Sequence, residues 1–341
     1  MTAPADLDAL FARARDGERR AVGRLLSIVE VGGDPADTLA ALAHRHIGHA
    51  QIIGITGAPG AGKSTLVGAL AVRLAARGRR IAVVAIDPSS PVTGGAILGD
   101  RIRMDDIVAT AHQNIFIRSM ATRGQRGGLA RGVPGALRAL DACGFDVVIV
   151  ETAGVGQIEI DIVAEADTTV VVLNPGWGDA IQANKAGVME VADIFVVNKA
   201  DRPGTDDTVR DIDYMLDLGH KGIDSWRPPI VRTVATDATG IDDLTTALAA
   251  HRHELERTDE LTQRRARRLD NEVRTHVRAA FEAALETALA AEHDTLDRMH
   301  TRTITPAATA RVVAKRVLVQ PDRTFVSPAA DRSTISRQSA G

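Results

Sequence analysis

The stretch "GITGAPGAGKSTLVGAL", residues 54–70, decides the fold. It sets Gly57, Gly62, Lys63 and Ser64 at the spacing of a phosphate-binding loop, with an apolar run before it and a helix-forming stretch after it. That setting matters, because a glycine-rich segment without it reads only as a turn. The glycines let successive backbone N–H groups face inward around a β-phosphate, and the start of the following helix adds its positive dipole end. Gly57, Ala58, Pro59, Gly60, Ala61, Gly62, Lys63, Ser64 and Thr65 are therefore the expected phosphate-side contacts. Lys63 should reach the β- and γ-phosphates as a catalytic group, and the Ser64 hydroxyl should hold Mg2+.

Around this loop, short apolar runs alternate with amphipathic stretches. The runs are IIGIT (52–56), IAVVAI (81–86), IFIRS (115–119), DVVIV (146–150), TTVVVL (168–173), IFVVN (194–198) and PIVRTVA (229–235). Continuous rather than alternating apolarity, with helices between, predicts an α/β fold whose mostly parallel sheet is covered on both faces. Such sheets bind ligands at the C-terminal ends of their strands, and each motif discussed here follows one of these runs.

The flanks read as helix. Residues 1–50 form an N-terminal helical segment, with Leu7, Leu10, Phe11 and Ala14 on one face. A later helix there should open with Asp34 as N-cap and Pro35 at its first position. The nucleotide-binding domain spans 51–255, and residues 256–317 form a C-terminal helical segment. The latter carries an apolar stripe of Leu269, Val273, Val277, Ala280, Phe281, Ala284, Leu285 and Leu289, which suits packing within the chain and a subunit interface equally. Residues 318–341 are polar and Pro/Ser-rich, and read as a flexible tail.

"FVVNKAD" (195–201) carries the second strong signal. Asn198 and Lys199 precede Asp201, whose carboxylate can accept from the N1–H and 2-amino groups of guanine. Adenine offers neither donor, so the carboxylate discriminates between the bases. The Lys199 stem covers the base, and Ala235 in "TVATDATGI" is the candidate backbone donor to the guanine oxygen. "DVVIVETAGVGQIE" places Glu151 at a strand end and Gly154 three residues on, suiting a Mg2+-site acid and a backbone sensor of the γ-phosphate. No glutamine follows Gly154 directly. Gln157 is the candidate for positioning water, and hydrolysis without a partner should be slow. "AIDPSSPVTGGAILGDRIRM" adds Asp87 and Asp100 as further oxygen ligands beside Ser64 and Glu151. The competing reading of Asp100 is a helix cap.

Composition narrows the classes. Hydrophobic residues make up 45% and charged residues 25%, as in a globular protein, and the net charge of -3 argues against a nucleic-acid partner. No run approaches a transmembrane length, and the charged N-terminus lacks a signal-peptide core, so a cytoplasmic location is expected. The single Cys143 reads as a buried small residue, and His44, His46 and His49 as solvated surface rather than metal ligands. Only five of the 41 basic residues are lysine, so each lysine points mildly to a compact ammonium in a tight place.

Together, "GAPGAGKST", "IDPSSPVTGGAILGDRIRM", "ETAGVGQIEID", "NPGWGDAIQANKAG" and "NKAD" resemble the MeaB/ArgK-type P-loop GTPases, in family order and over about residues 5–317. The resemblance implies a homodimer built with the C-terminal helices, binding GTP and GDP with Mg2+ held by Asp87, Asp100 and Glu151. It also implies gated delivery of adenosylcobalamin to methylmalonyl-CoA mutase, and protection of that enzyme from inactivation. Relatives have been described as kinases or ATPases of arginine/ornithine transport, and "NKAD" argues against ATP as the main nucleotide. The tail lies outside the family pattern.

The resemblance also makes "NPGWGDAIQANKAG" (174–187) an additional switch loop that communicates with the mutase. Asp179 and Lys185 are expected to pair with each other, or with the other switches, in one nucleotide state only. The plainer reading of Asp179 is a helix cap.

Overall fold

The computed structural model describes residues 4–87, 114–121, 132–152, 165–176, 191–219 and 226–319. The apolar runs become seven strands: β1 (Gln51–Gly57), β2 (Ile81–Asp87), β3 (Ile115–Ala121), β4 (Val147–Thr152), β5 (Thr168–Leu173), β6 (Ile194–Asn198) and β7 (Ile230–Thr233). They form one sheet in the order β3-β2-β4-β1-β5-β6-β7, and among the described residues every strand pairing is parallel. The last apolar run yields a shorter strand than its pattern spans. After Thr233 the chain turns back, and Val234 bridges Thr239 in antiparallel fashion.

The helices are α1 (Pro4–Arg15), α2 (Arg19–Val31), α3 (Asp34–His44), α4 (Lys63–Ala76), α5 (Gly132–Ala142), α6 (Thr205–Gly219), α7 (Ile241–Arg257), α8 (Glu260–Ala291), α9 (His293–His300) and α10 (Pro306–Val319). At α3 the cap falls one residue earlier than the sequence pattern places it. Gly33 takes the N-cap with φ 77°, Asp34 opens the helix, and Pro35 stays in the first turn where its missing N–H costs nothing.

Because successive strand residues face opposite ways, each strand feeds two cores. On β2, Ala82, Val84 and Ile86 join Leu10, Phe11, Leu25 and Leu26 of the N-terminal helices and Leu137 and Leu140 of α5. Ile81, Val83 and Ala85 instead join Leu66 and Leu70 of α4 and Leu244 and Leu248 of α7. A third cluster packs Ile212 of α6 on Val171, Phe195 and Val197. Cys143 lies buried in the first core, where burial pushes its thiol up to about 12. His46 packs against Phe11, with ring centroids 5.8 Å apart. No group of three metal-binding side chains occurs among the described residues.

The N-terminal edge of the sheet is closed by a repeated device. Asp146, Asp167 and Asp193 stand immediately before β4, β5 and β6. Each accepts a backbone N–H at the start of an adjacent strand or just before it: Arg80 at 2.7 Å, Ile52 at 3.0 Å and Thr169 at 2.8 Å, respectively. Parallel strands leave such N–H groups without a ladder partner, so an aspartate in this position satisfies a donor that burial would otherwise strand.

The chain divides into two compact units, Met1–Arg268 and Leu269–Gly341. The second contains the remainder of α8 with α9 and α10. Its interior includes Ala288, Thr309 and Val313, and Arg316 pairs with Glu292 at 2.5 Å. The stripe residues Val273 and Phe281 are 62% and 55% exposed. No described helix is long and apolar enough to cross a membrane.

Candidate functional site

Parallel strands share one direction, so the ends of β1, β4, β5 and β6 open on a single edge of the sheet. Gly57, the last residue of β1, has φ 139°, and a Cβ there would sit 2.0 Å from the Val172 carbonyl oxygen on β5. Gly62 caps α4 in the left-handed region with φ 88°, and a Cβ on it would lie 2.5 Å from Asn198 Nδ2. Both glycines are thus required by protein neighbours as well as by any phosphate. Between them, Pro59 and Gly60 are exposed, whereas Ala58 and Ala61 are buried.

Lys63 opens α4 and is only 6% exposed. Its Nζ donates to the carbonyl oxygens of Gly57 and Ala58, both at 2.9 Å, so the ammonium lies folded along the loop that it closes. One residue on, Ser64 Oγ donates to Glu151 Oε1 at 2.6 Å; Thr65 follows, half-buried. Glu151 itself is buried near the end of β4. The register of β2 against β4 pairs Ala85 with Glu151 and Ile86 with Thr152, which brings Asp87, the last residue of β2, to the same edge.

The base-reading motif joins the loop from the other side. Asn198, ending β6 and 2% exposed, donates through Nδ2 to the Ala61 carbonyl oxygen at 2.8 Å. Its Oδ1 accepts from Thr233 Oγ1 at 3.1 Å and from the Ala235 N–H at 3.2 Å. Lys199 has φ 60°, and its Nζ donates to Gly60 O at 2.6 Å, so its stem spans the loop. Asp201 is exposed. The Ala235 N–H, expected from the sequence to face a guanine oxygen, is directed at Asn198 in this structure.

Fifteen sequence-selected positions therefore converge on one edge: residues 57–65, the backbone of Asp87, Glu151, Asn198, Lys199, Asp201 and Ala235. The Asp87 side chain, Asp100, Gly154, Gln157, Asp179 and Lys185 lie outside the described residues, as does Trp177. The sequence reading missed Thr233, whose hydroxyl holds the Asn198 amide in one orientation. It also missed the strand-start aspartates. Their signal was present as the repeated Ala-Asp pair before β5 and β6, residues 166–167 and 192–193.

Known proteins are similar to this chain. A family model described as methylmalonyl Co-A mutase-associated GTPase MeaB matches residues 22–290. A Pyrococcus abyssi protein carrying a GTPase name is 44% identical over 316 residues, spanning 92% of this chain and 97% of that protein. The fused isobutyryl-CoA mutase of Cupriavidus metallidurans is 41% identical over 214 residues, which make up 62% of this chain and 19% of that longer one. A solved structure of an LAO/AO transport system kinase superposes with a TM-score of 0.68 at 25% identity, covering 93% of this chain and 99% of the other. The matched region takes in both the phosphate loop and the guanine motif, so this is a guanine-nucleotide-binding enzyme that hydrolyses GTP. The chain belongs to the MeaB family of methylmalonyl Co-A mutase-associated GTPases.

Proposed function

We propose that this GTPase gates the loading of adenosylcobalamin into an acyl-CoA mutase, methylmalonyl-CoA mutase or a close relative, and protects that enzyme. The observation that carries the reading is the 41% identity to part of a fused isobutyryl-CoA mutase. Two activities on one polypeptide operate at high effective concentration, which is the relationship expected of a GTPase and its client.

Within the site, backbone N–H groups of the loop and the start of α4 hold the phosphates, and Lys63 swings from the Gly57 and Ala58 carbonyls to the β- and γ-phosphates. Asp201 accepts from guanine, while Asn198 fixes the distance between base and phosphate subsites. A guanine oxygen would share the Ala235 N–H with Asn198 or replace it. The Ser64 hydroxyl and the Glu151 carboxylate, 2.6 Å apart, are hard oxygen donors that fit Mg2+. Asp87 and Asp100 complete that set in our reading, and the ion would supply charge neutralisation at the phosphates. Gln157 positions water, Gly154 senses the γ-phosphate, and the loop with Asp179 and Lys185 carries the nucleotide state to the client. The exposed stripe on α8 supports a homodimer built on residues 256–317. The working compartment is the cytoplasm.

GTP turnover measured with and without purified methylmalonyl-CoA mutase tests the assignment, with isobutyryl-CoA mutase as a parallel arm. Acceleration by a mutase is expected, and Lys185→Ala should blunt it while sparing GTP binding. No acceleration and no complex with either enzyme would remove the client.

The kinase name of the solved structure favours a second reading, phosphoryl transfer from ATP to a small acceptor. Asp201 weighs against it, since adenine cannot donate to that carboxylate. With Mg2+ present, GDP should raise the melting temperature well above the effect of ADP. Equal or stronger stabilisation by ADP would favour the kinase.

A further inference from the structure

Arg80 stands just before β2 on a fixed main chain. Its N–H donates to Asp146 Oδ2 at 2.7 Å, and its carbonyl oxygen accepts the Asp146 N–H at 2.8 Å. The side chain is held as closely, with the guanidinium carbon 5.1 Å from the centroid of the Phe145 ring. Two glycine turns, after α1 and after α5, flank the guanidinium. A Cβ on Gly144 would lie 3.1 Å from one of its terminal nitrogens, and a Cβ on Gly17 would lie 3.8 Å from the other. Their φ values of 80° and 93° would strain any other residue there.

This half-buried guanidinium is thus positioned but not bonded. Among the described residues no acceptor meets its N–H groups. By contrast, the half-buried Arg118, Arg252, Arg264, Arg265, Arg268 and Arg316 each donate to a carboxylate. Stacking on a ring occupies the face of a guanidinium and leaves its in-plane donors for another partner.

Arg80 lines a cavity of about 420 Å3, within the range of small-molecule sites. Arg19 and Asn114 share the wall with Val22 and Phe116. Arg19 likewise has no carboxylate partner among the described residues, and the adjacent Glu18 pairs with Arg13 at 2.9 Å instead. The positive field is felt nearby: burial raises the Cys143 thiol, and the charges of Arg80 and Arg15 oppose that rise. Phe116 and Phe145, with centroids 6.0 Å apart, supply a flat apolar wall, and the Asn114 amide offers a donor and an acceptor. Arg80, Asn114 and Phe145 lie within two residues of the starts of β2, β3 and β4. The nucleotide edge is at the other ends of these strands, roughly 20 Å away along β2.

We propose that this cavity binds an organic phosphate monoester with a flat ring body, up to about the size of a mononucleotide. A phosphate dianion matches the two guanidinium charges and accepts forked bonds from both. A single carboxylate would leave one of them unanswered. The ring packs on the Phe116 and Val22 wall, and Asn114 bonds its polar edge. The site is separate from the one that binds GTP, and it does not depend on the identity of the client.

Methyl NMR on the full chain, saturated with GDP and Mg2+ so that the phosphate loop is filled, tests the assignment. The probes are phenyl phosphate, AMP, benzoate and inorganic phosphate. At least one of phenyl phosphate and AMP should shift the Val22 and Ile115 methyl resonances with a Kd of about 1 mM or tighter. Inorganic phosphate, which lacks the ring, and benzoate, which lacks the second charge, should bind about tenfold more weakly or worse. Arg80→Gln should weaken the bound phosphate monoester by about tenfold or more, with GDP affinity kept within about threefold. Arg80→Lys keeps the charge, loses the stacked fork and should recover only part of the loss. If the Arg80 variants fail to fold, the exposed Arg19→Gln carries the test with the same loss expected. No shift from either ring-bearing phosphate, or an unchanged affinity in the folded variant, would overturn the proposal. Equal binding of inorganic phosphate or benzoate would also overturn it, by removing the ring or the second charge from recognition.

Discussion

Asn198 and Ala61 are separated by 137 residues in sequence and joined by a 2.8 Å hydrogen bond, through which the end of β6 holds the loop that follows β1. The base subsite and the phosphate subsite are therefore one mechanical unit. Asn198→Ala removes this bond and the two that Asn198 Oδ1 accepts from Thr233 and Ala235. At about 1 kcal/mol for each net hydrogen bond, GDP affinity should fall by roughly tenfold to a hundredfold. Isothermal titration calorimetry reads the change, and an unaltered affinity would show that the loop is held by other means.

Asp201 should decide the base. Asp201→Asn turns an acceptor pair into one acceptor and one donor, which mismatches the two donors of guanine and matches the 2-oxo group of xanthine. GDP binding should weaken by about a hundredfold or more while xanthosine diphosphate binding improves, as expected when a polar site is left mispaired. Competition between the two nucleotides for the variant is the measurement. Retained GDP preference would remove Asp201 from the base-reading role.

Gly62→Ala tests the close approach of the motifs. The new methyl group would lie 2.5 Å from Asn198 Nδ2, at a residue whose φ of 88° already disfavours a side chain. Loss of nucleotide binding is expected together with a stability loss of about 1–3 kcal/mol, seen in urea unfolding. The conservative appearance of the change gives no protection, because the obstacle is another side chain and not solvent.

The strand-start carboxylates should shape the acid limb of stability. Burial by itself raises Asp193, but the His251 and Arg264 hydrogen bonds and charges outweigh it and hold the group below the ordinary carboxylate value. Asp167 behaves alike, with burial opposed by Arg268 and Arg265. A carboxyl lowered on folding contributes stability that is complete above its unfolded value, about 3.9, and is lost as the pH falls towards the folded value. Asp193→Asn should therefore destabilise the protein at pH 7 and flatten the decline below about pH 4. Chemical denaturation across pH 3–7 checks both features; a parallel shift at every pH would exclude the linkage.

The exposed stripe on α8 predicts association. Phe281 is 55% exposed and Val273 62%. Phe281→Glu should convert a dimer to a monomer in sedimentation, with GDP affinity unchanged, because a charge in an apolar interface is left unpaired. A parent chain that sediments as a monomer at micromolar concentration would remove the dimer reading.

By itself, the sequence determined the chemistry that depends on neighbours along the chain. The phosphate loop is a run of backbone conformations set by Gly57, Gly62 and the helix after them, and parallel strands announce themselves because both faces are buried. For that reason the strand runs were legible almost to the residue, whereas β7 was over-read where Val234 turns back to Thr239. The tertiary structure decided what depends on residues distant in sequence. It showed that Gly62 must be glycine because Asn198 lies against it, that the Ala235 N–H is turned towards Asn198, and that the arginines of α8 serve Asp167 and Asp193 rather than solvent. In an amphipathic helix rich in arginine, a buried clamp and a solvated face have the same periodicity. Only the fold, by bringing the starts of β1, β5 and β6 beneath that helix, distinguishes them.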